Sequence, residues 1–193
     1  MVLLNEPRIT GQISLSQAYQ ICEDITKSAS TSFLRSFKSL PVEKRLSVHA
    51  LYAFCRKVDD IVDGDWLPNL SHLNDEEINS LNERAEYRSI ALAIERMSEP
   101  SNDDQNHFER VRALLWFRDN LDSIEQDLAV NHPIFIALKD TTRKFPIRIP
   151  DLKLLIEGME DDLFPTNYQS FEDLRSYCFK VASTVGLNLI EIY

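Results

Sequence analysis

Between Val42 and Asp63 the chain sets Tyr52, Arg56, Asp59 and Asp63 at i, i+4, i+7 and i+11. On a helix these positions share one face. Two carboxylates one turn apart offer hard oxygen ligands, and Mg²⁺ commonly pairs one or two carboxylates with substrate phosphates. An arginine on the same stripe can grip phosphate oxygens bidentately. Together these groups could hold a diphosphate and help it leave. Spacing alone also admits a plainer reading. Arg45, His49 and Asp60 fall on the same side, as on any amphipathic helix with a solvated face, where Arg56 would pair with Asp59 or Asp60 at i+3 or i+4.

The elements that must position this stripe read as helices. Apolar periodicity predicts helices over Ser16–Lys27, Val42–Asp63, Glu76–Met97, Phe108–Ala129, Pro133–Phe145 and Asp151–Leu163. Pro41 suits the start of the long second helix, and Leu51, Phe54, Val58 and Ile61 form its apolar back. Loops are expected at Asp65–Asp75 and Glu99–Asn106, with a turn between Pro146 and Pro150. Ser170 with Asp173 resembles a capping box with Asp in place of the usual Glu or Gln, and opens a last helix that runs to the C-terminus. The segment Val181–Tyr193 is apolar enough to require burial on most faces, by partners expected beyond Tyr193.

Composition narrows the function classes. With 193 residues the chain is long enough for one domain with a sizeable core, and no linker divides it. Only 4 glycines, and no G-x-G-x-x-G or P-loop, mean that any phosphate is held without a glycine-rich loop. A net charge of −10 argues against nucleic acid as a partner, while divalent cations could still bridge the protein to an anionic ligand. Cys22, Cys55 and Cys178 are too scattered for a disulfide framework or zinc site and read as small core residues in a reducing, cytoplasmic setting. No stretch reaches the roughly 18 apolar residues of a membrane span. A greasy substrate could still bring the protein to a membrane surface as a peripheral protein.

Four ordered segments resemble the squalene/phytoene synthase family. LYAFCRKVDDIVD (Leu51–Asp63) is similar to its first aspartate-rich motif, Ser30-Thr31-Ser32-Phe33 to its S-x-S-F segment, LIEGMEDDL (Leu155–Leu163) to L-I-x-G-M-x-x-D-L, and YCFKVASTVG (Tyr177–Gly186) to Y-C-Y-x-V-A-G-T-V-G. The resemblance implies an all-α, isoprenoid-synthase-like helical bundle around a central cavity. It implies head-to-head condensation of two prenyl diphosphates. Asp59 and Asp63 would hold Mg²⁺, Arg56 and Tyr52 would contact diphosphate, Ser30 and Ser32 would help hold it, and Phe33 and Phe37 would line the prenyl channel. Asp162 would face the active site, and Tyr177, Val181, Ala182 and Gly186 would line the tunnel. Geranylgeranyl diphosphate would give phytoene; farnesyl diphosphate would give presqualene diphosphate, then squalene if NADPH supplies a hydride.

Each segment has its plain alternative. Ser30–Ser32 could be a simple loop or cap. Phe33 and Phe37 could be core. Asp161 and Asp162 could be acids at a helix end, which the macrodipole disfavours. Gly186, costly in a helix, suggests close approach by a helix or a ligand. Asp119, Asp122 and Asp127 read as solvated face. Two departures from the family stand out: Ser183 replaces a glycine, which would narrow the tunnel, and the second aspartate-rich motif is not reached before Tyr193. The expectation is therefore a single domain, truncated before that motif, which needs a further segment or a partner chain to clamp the leaving group. A family member without catalysis, serving as an assembly factor, and a generic helical interaction module are the competing readings.

Overall fold

The computed structural model describes residues 13–29, 36–96, 104–164 and 167–193, with the side chains of 95, 96, 104 and 105 set aside. Ser30, Ser32 and Phe33 lie outside the described residues. Everything regular among the described residues is helical: α1 (Leu15–Ala29), α2 (Val42–Asp63), α3 (Asp75–Arg96), α4 (Asp104–Glu125), α5 (Pro133–Lys144), α6 (Ile149–Asp161), α7 (Phe171–Cys178) and α8 (Thr184–Ile192), the last two joined by a π-helical turn, Phe179–Ser183. The all-α expectation holds. No described helix is long and apolar enough to cross a membrane.

The helix ends show where local chemistry sharpened the periodic pattern. α4 ends four residues before the predicted Ala129, because Asp127 turns left-handed at φ 55° and Leu128 N–H donates to the Ser123 carbonyl at 2.8 Å. α6 begins before Asp151, with Pro150 inside its first turn, where a missing N–H costs nothing. Ser170 caps α7 by accepting from Asp173 N–H at 3.2 Å. The shorter Asp173 side chain accepts from the Ser170 hydroxyl at 2.8 Å, where a full capping box would reach the Ser170 backbone.

α2 lies across the middle of the molecule, packed by α1, α4, α5, α6 and α8. Its predicted apolar back is fully buried: Leu51, Phe54, Val58 and Ile61 are all inaccessible. Phe54 meets Phe117 of α4 at 5.6 Å and Phe135 of α5 at 6.2 Å, and those two rings meet at 5.0 Å. Trp116 and Trp66 extend this cluster edge to face. Such pairs contribute about 0.5–1.5 kcal/mol each beyond area burial.

Three expectations are corrected here. The cysteines are free as predicted, but only Cys22 is buried; Cys55 is half-buried and Cys178 exposed, because α7 has no buried residue. Burial pushes the Cys22 and Cys55 thiols up to about 12, so neither is reactive. Asp119 and Asp122 are paired across helices, Asp119 with Arg84 at 2.6 Å and Asp122 with Lys153 at 2.6 Å, so they tie α4 to its neighbours as well as facing water. The close approach by a helix offered for Gly186 occurs at Gly158 instead. A Cβ at Gly158 would lie 2.7 Å from Lys180 Cβ and 2.8 Å from Val181 Cγ1, whereas a Cβ at Gly186 meets nothing within 4 Å.

This contrast yields a paired prediction. Gly158→Ala forces α6 off the π-helical turn and should lower stability by about 1–2 kcal/mol, overpacking exceeding the gain in helix propensity. Gly186→Ala should raise stability by up to about 1 kcal/mol. Urea unfolding of both variants checks this; equal effects would mean that α6 and the turn are not in contact.

Candidate functional site

The anchored back of α2 leaves its other face to Tyr52, Arg56, Asp59 and Asp63. Tyr52, Arg56 and Asp59 are half-buried and Asp63 is exposed. The plain reading of this face is partly met: Arg56 Nη1 reaches Asp59 Oδ2 at 3.0 Å and Nη2 reaches Asp60 Oδ1 at 2.6 Å. Asp60, however, is not a solvated residue. It is buried, held also by Lys57 at 2.7 Å, and Lys57 in turn lies 4.7 Å over the Trp66 ring. The Asp60 carbonyl accepts from Asp65 N–H at 2.9 Å and Trp66 N–H at 3.1 Å. Asp60 therefore serves the helix end and leaves Asp59 and Asp63 as the outward pair. His49 is also buried, its ring 5.7 Å from that of Phe37, and burial lowers its pKa. Phe37 sits in the core, as its plain alternative had it.

A second acidic element faces this pair. Asp162 is the C-cap of α6 and is held by the Tyr177 hydroxyl at 2.8 Å; Tyr168 lies 5.2 Å from the Tyr177 ring. Burial first, and then this bond to Asp162, push the Tyr177 pKa upward, so it stays a donor. Asp59 is held above the ordinary carboxylate range, first by burial and then by the charge of Asp63; Arg56 opposes this, while Asp60 and Asp162 add to it. Burial works against the Arg56 charge, but Asp60 and Asp59 outweigh it. The sequence-predicted Asp63 and Asp162 are thus both within electrostatic reach of Asp59.

This donor set fits a hard divalent cation in its chemistry. Its donors are carboxylate oxygens, and Asp59 is repelled by Asp63 and Asp162 more than Arg56 offsets. Among the described residues no group of three or more His, Cys, Asp or Glu is arranged to hold a metal ion by itself. Asp59 and Asp63 would therefore share a cation with oxygens from elsewhere, such as those of a diphosphate.

The residues matched to the family's tunnel fall on α7, the π-helical turn and α8. Val181 is half-buried against Gly158, Ala182 and Ser183 are exposed, and Gly186 faces open space. Phe171, Phe179, Ile190 and Tyr193 remain 45–75% exposed, so the burial expected of this apolar helix is incomplete among the described residues. Three residues that sequence reasoning missed support the site: Asp60, Gly158 and Arg110, whose Nη1 donates to the Val62 carbonyl at 3.0 Å. Gly158 had a signal, since a glycine inside an amphipathic helix marks close approach. Arg110, one arginine among several on α4, had none.

The helices that carry the carboxylate pair, Arg56 and the Tyr177-held Asp162 form an all-α fold of the isoprenoid-synthase kind. The chain belongs to the squalene/phytoene synthase family, whose model matches residues 26–193. It is 30% identical over 174 residues to a 15-cis-phytoene synthase of Synechococcus elongatus, covering 90% of this chain and 44% of that protein. It is 27% identical over 179 residues to a phytoene synthase of Mycobacterium tuberculosis, covering 93% and 45%. The fold is similar to the crystal structure of a dehydrosqualene synthase in complex with ligand, at TM-score 0.65 and 25% identity, over 92% of this chain and 48% of that one. The chain thus spans a little under half the length of these relatives.

The raised pKa of Asp59 carries a sign. Its folded-state carboxyl is disfavoured as an anion, so it subtracts stability above its folded pKa, and this penalty vanishes below the unfolded value. In metal-free buffer Asp59→Asn should therefore raise the melting temperature at pH 7, and the gain should shrink as pH falls toward the ordinary carboxylate range. A lower melting temperature at pH 7 would mean that the Arg56–Asp59 pair outweighs the repulsion.

Proposed function

We propose that this chain carries the diphosphate-handling part of a prenyltransferase that condenses two prenyl diphosphates head to head, giving phytoene from geranylgeranyl diphosphate, or presqualene diphosphate and squalene from farnesyl diphosphate. The observation that carries the reading is the alignment of Tyr52, Arg56, Asp59 and Asp63 on one face of a buried-back helix, with Asp162 in electrostatic reach. The names of the relatives favour the same chemistry.

In this reading Asp59 and Asp63 hold Mg²⁺. When bound, it would neutralise the leaving diphosphate. Arg56 now spends its two Nη groups on Asp59 and Asp60. Nη1 would be the arm that serves a phosphate oxygen, while Asp60 would keep the guanidinium in place through Nη2. Tyr52 steadies the diphosphate from one turn away, and Ser30 and Ser32 would add hydroxyl donors. Tyr177 holds Asp162 as an anion acceptor on the opposite wall. Phe33, Val181, Ala182 and Gly186 would keep water from the cationic hydrocarbon. NADPH enters only if the product is squalene. A further segment or partner chain would complete the ligand shell and cover the exposed face of α7 and α8.

Binding of farnesyl and geranylgeranyl diphosphate to the chain, measured by calorimetry with and without Mg²⁺, tests this. Binding should require Mg²⁺, and the double variant Asp59→Ala, Asp63→Ala should weaken it roughly tenfold or more, the scale of one lost charge-assisted contact. Absence of Mg²⁺-dependent binding in the wild type would favour an assembly factor without catalysis. Unchanged binding in the double variant would remove the site from α2.

A further inference from the structure

The last five residues of α2 read Asp59-Asp60-Ile61-Val62-Asp63: three acids and no base. They stand at the negative end of the helix dipole, where carboxylates are disfavoured. The cap itself is ordinary. Gly64 turns left-handed at φ 79°, and its N–H returns to the Asp60 and Ile61 carbonyls. That leaves the Val62 carbonyl, the one adjoining Asp63, to be satisfied from outside the helix. Arg110 of α4 does so at 3.0 Å. Its guanidinium lies so close to Gly64 that a Cβ there would stand 3.0 Å from Cζ and 3.3 Å from Nε. The contact is kept although Arg110 Nε is buried without a hydrogen-bond acceptor among the described residues.

From this geometry we propose that Arg110 is a positioning residue for the cation site: it fixes the last turn of α2 so that Asp63 stays in register with Asp59. The inference rests on the reading of Asp59 and Asp63 as cation ligands. It goes beyond that reading by giving the second aspartate a dedicated support from another helix. Two effects of Arg110 pull in opposite directions. Its positive charge, taken alone, weakens cation binding nearby, so removing it would tighten binding. Its hold on the Val62 carbonyl orders the Asp63 backbone, so removing it would loosen binding, as loss of outer-shell supports at metal sites does by about 10–100-fold. The guanidinium donates to the Val62 carbonyl through Nη1 while its planar body packs beside Gly64, which makes the second effect the larger, and lysine, a point charge without that planar body, does not replace it.

The test is a Mn²⁺ titration of the full chain followed by electron paramagnetic resonance, with circular dichroism melts of every variant. Wild type should bind Mn²⁺ and Asp63→Ala should lose it; if wild type binds none, the cation site itself fails, and Arg110 with it. If those two behave as expected, Arg110→Gln should raise the Mn²⁺ dissociation constant about tenfold or more while remaining folded. An unchanged or lower constant overturns the proposal. Arg110→Lys, which keeps the charge, should fall with the glutamine variant and not with wild type; full retention by lysine would show that the fixed guanidinium geometry is not what holds Asp63 and would overturn the positioning role. Should Arg110→Gln not fold, Arg110→Lys decides alone.

Discussion

The contact of Phe54 with Phe117 and Phe135 is the constraint on which the rest depends. Three rings from three helices meet in one cluster, and all three side chains are among the largest that are fully buried. A helix locked through one side cannot turn about its axis without tearing that cluster. Because Phe54 lies nearly opposite the Tyr52–Arg56–Asp59–Asp63 stripe, fixing the ring fixes the direction in which the carboxylates point. The aromatic cluster is thus part of the site's geometry although none of its atoms could reach a ligand. Interiors packed this densely transmit displacement, so a shift at Phe117 or Phe135 would be felt at Asp59.

How much of this was legible follows from the kind of signal each feature leaves. α2 could be read to its terminal residues because Pro41 marks one end and Gly64 the other, with an unbroken apolar back between them. The stripe was legible because periodicity fixes which residues share a face. Asp60 was misread for the same reason: periodicity gives an angle, and an angle intermediate between two faces does not say whether a carboxylate meets water or Lys57. Gly158 was passed over while Gly186 was read as a point of close approach, because a glycine signals that something needs space, and which neighbour needs it is set by the crossing of α6 with another helix. Arg110 depends on a pairing between α2 and α4 that no local pattern encodes.

The charge arrangement is one that a purely structural helix would avoid. Asp59 and Asp63 repel each other, Asp162 adds a third negative charge, and the helix dipole adds to the cost. The structure offsets part of this with Arg56, Lys57 and Arg110, and directs most of that help to Asp60 and the backbone. What remains is a carboxylate whose anionic form is raised in free energy, an arrangement that favours any hard cation able to sit between the acids. The neutral Asp59→Asn state and the cation-bound state relieve the same repulsion, which ties the stability of the free chain to the chemistry proposed for it.

The π-helical turn resolves a conflict in the sequence. Tyr177, Val181, Ala182 and Gly186 were matched to one pocket, yet on a regular helix at about 100° per residue Tyr177 and Gly186 point to opposite sides. A π-turn absorbs one extra residue. With Phe179–Ser183 so wound, the angle between Tyr177 and Gly186 falls to about 80°, so both can border the same space. Gly158 makes the turn tolerable, because its missing side chain lets α6 approach Lys180 and Val181 where the helix is widest. The glycine of one motif therefore lies against the backbone of another. A change to alanine at Gly158 would act on the orientation of Gly186 without touching it, which is why the two glycines, opposite in their local cost, belong to one device.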